Sequence, residues 1–376
     1  MTEIQPKTWV EINQENLLFN IDQFRQRIGD KVKFCAVIKS DAYGHGAKQI
    51  ATLSASKVDY FAVDSIEEAM EIKDVVNNKP ILILGYTLLE NLSIVAENNF
   101  HQVVANIETL EKITELDLEI NIHLKIETGT SRQGILPEKI ESFIALFKNN
   151  SKLKLAGVST HFANIEDTTD SSFAMGQLEK YKQAIQIFEK NGYNNIIKHT
   201  ASSAAAIVYP ETYFDLVRVG IGLYGLWSSP QTLVSANQNN VNFELKPVLS
   251  WKTKVAHVKT IPKGSYVSYG CTERMEKDTK VVVLPIGYRD GFDRRFSSIG
   301  TVLINGTRCK LIGRVCMNMV IVNVDHLDNV KLEDEVILIG TQNGETITAD
   351  EIASKIGTIN YEIVTRINNK IKKIIL

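Results

Sequence analysis

Between Lys31 and Val219 the chain repeats one pattern, a short β-branched run followed by a longer amphipathic stretch. The runs are KVKFCAVIK at 31, VDYFAV at 58, PILILG at 80, FHQVVA at 100, EINIHLKI at 119, LKLAGVST at 153, NIIKHT at 195 and FDLVRV at 214. Apolar strands separated by helix-length crossovers form a parallel sheet with helices on its faces. Eight such units close a (β/α)8 TIM barrel, although the period alone is also met by an open doubly wound sheet. The placing of chemically able residues favours the barrel. Lys39, Lys125 with Arg132, His161, Ser203 and Arg218 all fall at or just after the C-terminal ends of these runs, where barrel enzymes gather their chemistry.

After Trp227 the βα rhythm stops in a polar, turn-prone stretch, SSPQTLVSANQNNVN. The expected boundary lies there, with a barrel over 1–240 and a mostly antiparallel β domain over 241–376. In the second part KVVVLPIG, TVLING, CKLIGRV and DEVILIG are separated by PKG, NG and NGE turns, and one helix is expected at ADEIASKIG. The 376 residues carry a net charge of only -2, so no global field draws nucleic acid or a membrane surface. Small ligands are the expected partners. The four cysteines, Cys35, Cys271, Cys309 and Cys316, show no CxxC pair and no metal-ligand spacing, which suits free thiols in a reducing compartment. With no signal-like start and no membrane-length apolar run, the expectation is a soluble cytoplasmic protein that uses no metal.

Lys39 ends the first run and is followed at once by SDAYGHG. An ammonium partly removed from water gives up its proton more readily, and the free amine can form a Schiff base with an aldehyde. Position alone is equally met by a solvated lysine ending a strand. Ser203 opens the seventh helix, and Gly220 and Ile221 follow the eighth strand, where barrels often hold phosphate through backbone N–H groups. Ser203 also reads as an ordinary helix cap, Arg218 as half of an ion pair, and His161 as a core histidine.

The string AVIKSDAYGHG, Ala36 to Gly46, resembles the pyridoxal-phosphate attachment segment of the alanine racemases. The likeness continues in order through IETGTSRQG, STHFA, HTASSAA, VRVGIGLYG, VSYG, PIGYRDG and GRVCMN, and so spans nearly the whole chain. It implies pyridoxal 5'-phosphate as cofactor and a two-base racemisation of alanine, supplying D-alanine for peptidoglycan. Lys39 would serve one face of the substrate and Tyr269 the other. Tyr43, Ser203, Gly220, Ile221 and Tyr361 would hold the cofactor phosphate. Arg218 would face the pyridine nitrogen, with His161 linking it to Tyr269 by hydrogen bonds. Arg132 and Met317 would bind the substrate carboxylate or the cofactor phenolic oxygen, and Tyr288 would narrow the entrance. Lys125 matches a position that is often carbamylated. The resemblance also implies a head-to-tail homodimer in which Tyr269 serves the partner's site, and a return of residues 1–13 to the second domain.

Asn318 stands where the family motif usually ends in aspartate, and Thr130, Ser131 and Gln133 depart from its usual residues around Arg132. A racemase of serine or of a broader range of amino acids is the nearest alternative. A decarboxylase of basic amino acids, or a non-catalytic carrier of the same cofactor, would be a change of class.

Overall fold

The structure, a computed structural model, describes residues 4–376; the first three residues of the 1–13 segment lie outside it. Strand β1 (Thr8–Ile12) and helix α1 (Gln14–Ile28) come first. Eight strands then follow: β2 (Lys33–Val37), β3 (Tyr60–Val63), β4 (Ile81–Ile83), β5 (His101–Val104), β6 (Ile120–Lys125), β7 (Leu153–Ser159), β8 (Ile197–His199) and β9 (Leu216–Val219). Each lies inside a run identified above. They pair in parallel in the order β8-β7-β6-β5-β4-β3-β2-β9. The seam between the segments carrying β8 and β9 is drawn together by Asp215 N donating to Lys198 O and Arg218 N donating to Ala201 O, both at 3.0 Å. The sheet is therefore a near-closed barrel and not an open doubly wound sheet.

A helix follows every strand: α2 (Ala47–Ser54), α3 (Ile66–Ile72), α4 (Leu92–Glu97), α5 (Ile107–Glu115), α6 (Ile140–Asn149), α7 (Ser172–Lys190), α8 (Ser203–Val208) and α9 (Pro230–Gln238). Three of these starts carry a side-chain oxygen cap. Ser65 accepts from Glu68 N, Asn106 from Thr109 N, and Ser229 from Thr232 N with Pro230 just inside the helix. Among the described residues no helix is long and apolar enough to cross a membrane.

The chain forms two compact units. The barrel unit runs on to Lys246, past the boundary expected at 240. The reason is local: Phe243 packs edge-on against Phe24 of α1, while Asn20 and Lys246 exchange two backbone–amide bonds of 2.8 Å. Phe24 also meets Phe34 of β2 at a centroid distance of 6.1 Å.

The other unit takes residues 247–376 together with the segment ending at Gln14 and Tyr43–Gly46. Its strands are β10 (Leu249–Lys254), β11 (His257–Ile261), β12 (Tyr266–Val267), β13 (Glu273–Arg274), β14 (Thr279–Leu284), β15 (Thr301–Ile304), β16 (Thr307–Ile312), β17 (Val320–Asn323), β18 (Glu335–Gln342), β19 (Glu345–Ile347) and β20 (Lys372–Ile375). Nine strands run β11-β14-β17-β16-β15-β18-β10-β1-β20, with β19 paired to β18. Only β1 with β20 is parallel, so β1 sits between β10 and β20 in this second sheet. Asn305–Gly306 and Asn343–Gly344 turn with all four φ positive, the geometry of tight hairpins. The helix expected at ADEIASKIG is α10 (Ala349–Ile356), and a further one, α11 (Asn360–Thr365), carries Tyr361.

Phe24→Ala should lower barrel stability by about 3–5 kcal/mol, since the ring is fully buried among Phe34, Phe243 and Gly222. Urea unfolding followed by far-ultraviolet circular dichroism checks the size of the loss.

Candidate active site

Lys39 lies just beyond β2, and the chain then makes a left-handed turn, with φ of 54, 53, 52 and 55° at Ser40, Asp41, Ala42 and Tyr43. Left-handed backbone costs roughly 1–2 kcal/mol per non-glycine residue, so this turn persists only because its surroundings hold it. Glu68 of α3 is the clamp. One carboxylate oxygen accepts from Ser40 N at 2.6 Å and the other from Asp64 N at 2.7 Å. Asp41 accepts from Ala47 N at the start of α2, and Ala42 N donates to Ile38 O, both at 2.9 Å. Lys39 itself is half-buried, with Nζ 3.5 Å from Asp64 Oδ1.

Arg218, on β9, is buried, and every bond it makes is one of donation. Nη1 donates to His199 Nδ1 at 2.7 Å and to His199 O at 2.9 Å. Nη2 donates to Thr160 O at 2.9 Å and Thr200 O at 3.1 Å. Its hydrogen-bonded imidazole is thus His199, where the sequence reading expected a link to His161. The cause is topological: His199 ends β8, the strand at the barrel seam beside β9. Nε–H has no partner among the described residues, so one donor of a buried guanidinium remains for a ligand acceptor.

Lys125, at the end of β6, contacts Gln133 Oε1 at 3.5 Å. Burial, then the cations of Arg132 and Arg218, push its amine down to about 8. His161 is pushed down to about 3 by burial and by Arg218, Lys125, Arg132 and Lys39, and is a neutral imidazole. The fields on these two groups show that Lys39, Lys125, Arg132, His161 and Arg218 share one neighbourhood, although Arg132 is exposed. Glu127 organises the Arg132 loop. Burial would raise its carboxyl, but donation from the amides of Ser131, Gly129 and Arg132 and from Thr130 holds it below the usual carboxylate range.

Ser203 Oγ accepts from Gly220 N at 3.0 Å and Gly222 N at 3.2 Å. With both lone pairs engaged, its hydroxyl proton is left to donate. Gly222 has to be glycine, because a Cβ there would stand 2.6 Å from Phe24 Cζ. The Ser203 hydroxyl after β8 is placed to donate to a phosphate, and Arg218 Nε–H would suit an unprotonated ring nitrogen. Pyridoxal phosphate carries both groups, and the donor set fits it.

In the second unit Tyr43 and Tyr361 face each other with ring centroids 6.1 Å apart. Tyr269 is not on a strand but on a turn between β12 and β13, 72% exposed, with Ser268, Gly270 and Cys271 all at positive φ. The loop after β16 ties it to Tyr288 and Met317. Ser268 Oγ bonds Arg314 O at 2.7 Å and Cys316 Sγ at 3.3 Å, Tyr288 N donates to Cys316 O at 3.1 Å, and Arg289 N donates to Met317 O at 3.0 Å. Gly287 makes the approach feasible, since a Cβ would lie 2.2 Å from Cys316 O.

The family model for the alanine racemase N-terminal domain matches residues 12–228, and that for the C-terminal domain matches residues 248–375. The chain belongs to the alanine racemase family. It is 37% identical to the alanine racemase of Leptospira interrogans over 373 residues, covering 98% of this chain and 96% of that one. Against the alanine racemase of Methanococcus maripaludis the identity is again 37%, with 98% of each covered. Among solved structures, alanine racemase of Clostridium difficile 630 superposes with a TM-score of 0.91 at 34% identity, covering 100% of this chain and 97% of that one. The Bacillus anthracis alanine racemase with bound L-Ala-P gives 0.93 at 31%, covering 100% and 96%. As a member of this family the chain is an isomerase.

Glu68, Glu127, His101, His123 and His199 were not among the residues expected at the site. A signal existed for the histidines, three of seven in the chain, each lying within a barrel strand run. Glu68→Ala removes two charge-assisted bonds worth roughly 1.5–3 kcal/mol each. Amide hydrogen exchange at Ser40 and Asp64 should accelerate by about tenfold or more, while amides in β6 and β7 stay unchanged.

Proposed function

We propose that this alanine racemase family member interconverts L- and D-alanine with pyridoxal 5'-phosphate, using Lys39 and Tyr269 as bases on opposite faces of the α-carbon. The observation that carries this reading is Arg218, whose Nη donors are fixed on the barrel wall while Nε–H stays available. A guanidinium can donate to a ring nitrogen but does not surrender its proton to it, so the ring stays a restrained electron sink. A carboxylate in that position would favour the protonated ring and suit decarboxylation. When bound, pyridoxal phosphate supplies the aldehyde carbon that takes the amino group and a ring that spreads the charge left by the departing α-proton.

The chain's own residues do the rest. Ser203, Gly220 and Ile221, with the hydroxyls of Tyr43 and Tyr361, hold the phosphate. Lys39 Nζ takes or returns the α-proton on one face, and Tyr269 Oη acts on the other, since one base cannot serve both faces without moving. Tyr269 comes from a second copy of the chain in a head-to-tail homodimer; its exposure on a tightly held turn supports this reading. Arg132 binds the substrate carboxylate or the cofactor's phenolic oxygen, the Met317 amide binds the carboxylate, Tyr288 narrows the entrance, and the neutral His161 is the proposed hydrogen-bond link to the tyrosine. The L-Ala-P bound to the Bacillus anthracis relative supports an alanine-sized substrate. The product would serve peptidoglycan synthesis in the cytoplasm.

Lys125 takes up carbon dioxide as a carbamate, releasing one proton, and its new negative charge faces Arg132. Because its amine sits near 8, lowered by burial, the reactive neutral form grows as pH rises through that value and vanishes below it. With 13C-bicarbonate, a carbamate carbon signal should be present at pH of about 8.5, fade by about 6, and be missing from Lys125→Met.

The test of function is α-proton exchange in heavy water with cofactor-loaded protein and a mixture of L-amino acids, followed by NMR. Exchange confined to alanine with D-alanine formed is expected. Exchange across several amino acids would assign a broader racemase permitted by Asn318, and release of carbon dioxide would overturn the assignment. In Tyr269→Phe, exchange from L-alanine should fall by about a hundredfold or more, and exchange from D-alanine much less.

A further inference from the structure

Three histidines with no part in the chemistry above lie end to end inside the barrel. Arg218 Nη1 is 2.7 Å from His199 Nδ1, His199 Nε2 is 2.9 Å from His123 Nδ1, and His123 Nε2 is 2.9 Å from His101 Nδ1. All three rings are buried. Arginine has no lone pair to offer, so His199 Nδ1 must accept. A neutral imidazole that accepts at Nδ1 carries its hydrogen on Nε2. That hydrogen is donated to His123 Nδ1, which fixes His123 in the same form, and His101 follows by the same step. One cation therefore sets the tautomer of three rings.

Burial keeps the rings neutral, with His101 pushed down to about 4 and His123 and His199 well below the ordinary imidazole range, the field of Arg218 adding to the last two. The barrel is shaped around the chain of rings. His123 on β6 must pass β7 to reach His199 on β8, and it does so over Gly157, its paired residue on β7. A Cβ on Gly157 would lie 2.4 Å from His123 Nδ1 and 2.8 Å from Ile197 O. Tyr181 pins the same place, its hydroxyl donating to Val158 O at 2.7 Å and accepting from His199 N at 3.2 Å. At the far end His101, the first residue of β5, meets the edge of Tyr60 with centroids 5.6 Å apart.

We infer that His199, His123 and His101 form a tautomer-locked hydrogen-bond chain that positions and polarises the Arg218 guanidinium, making them positioning residues for its contact with the cofactor's ring nitrogen. The ring-nitrogen half of this inference rests on the function proposed above; the tautomer lock does not. The chain supplies acceptors, each polarised by the next, and holds Nη1 so that Nε–H keeps one direction.

The experiment is long-range 1H–15N NMR on histidine-labelled, cofactor-loaded protein at neutral pH, each ring assigned by its loss in a single variant. All three rings should show a protonated Nε2 and a bare Nδ1; an Nδ1–H form or a doubly protonated ring at any of them overturns the lock. No turnover is needed, so a failure of the racemase reading leaves this result intact. The functional half is read with 15N-labelled cofactor in Gly157→Ala, which keeps every histidine, and, should that variant not fold, in His123→Leu against His123→Gln. Glutamine offers one acceptor and one donor and should restore what leucine breaks. In the broken variants the pyridine nitrogen signal should shift and kcat for alanine fall on the order of tenfold with KM little changed. An unmoved nitrogen signal with unchanged kcat, despite altered histidine spectra, would reduce the chain to scaffolding.

Discussion

A buried guanidinium that can only donate organises the centre of the barrel. Arg218 turns the carbonyls of Thr160, His199 and Thr200 toward itself, which shapes the exits of β7 and β8, and its own amide closes the seam onto Ala201. Its charge then conditions the neighbours. It lowers Lys125 and His161, and it draws down Cys35 as well, although burial wins there and pushes that thiol up to about 12. With Lys39, Lys125 and Arg132 nearby, the mouth of the barrel is a positive field able to gather an anionic ligand. The excess of cations in this one place coexists with a nearly neutral chain.

The cost of gathering cations is visible in the anions placed to manage them. Glu127 is wrapped by the amides of its own loop, and Glu68 secures the turn after Lys39 instead of pairing with the lysine. Among the described residues Asp64 is the carboxylate that approaches the lysine, and at 3.5 Å its hold is loose. A carboxylate gripping Lys39 tightly would favour the ammonium and oppose its use as a base. The arrangement thus separates the task of holding the backbone from that of holding the charge.

What could be read from the sequence was what is local. The barrel strands announce themselves through apolar runs, and Lys39, Ser203, Gly220 and Arg218 through their places at strand ends. Contacts between distant strands were not legible. STHFA and HTASSAA each offer a histidine, and nothing in the letters tells that His199 and not His161 accepts from Arg218; barrel closure decides it. The left-handed turn at Ser40–Tyr43 escaped notice because none of its residues is glycine, the usual marker of positive φ. The segment to Lys246 reads as linker in the sequence, and its packing on Phe24 and bonds to Asn20 show that it belongs with the barrel unit. VSYG does not show where Tyr269 sits; the brevity of β12 and β13 leaves it on the turn between them.

That turn has a consequence for how the site could change. Ser268, Gly270 and Cys271 all hold left-handed backbone around Tyr269, and Ser268 is tethered to the loop that carries Met317. A phenol displayed from so restricted a stretch has had its backbone fixed at folding, and only its side-chain torsions are left to be ordered when a ligand arrives. The scaffold fixes where the ring starts, and the side-chain torsions set where its hydroxyl ends. Moving the tyrosine's backbone would therefore mean moving two loops together, whereas an exposed side chain such as Asn318 can be exchanged with no such rearrangement.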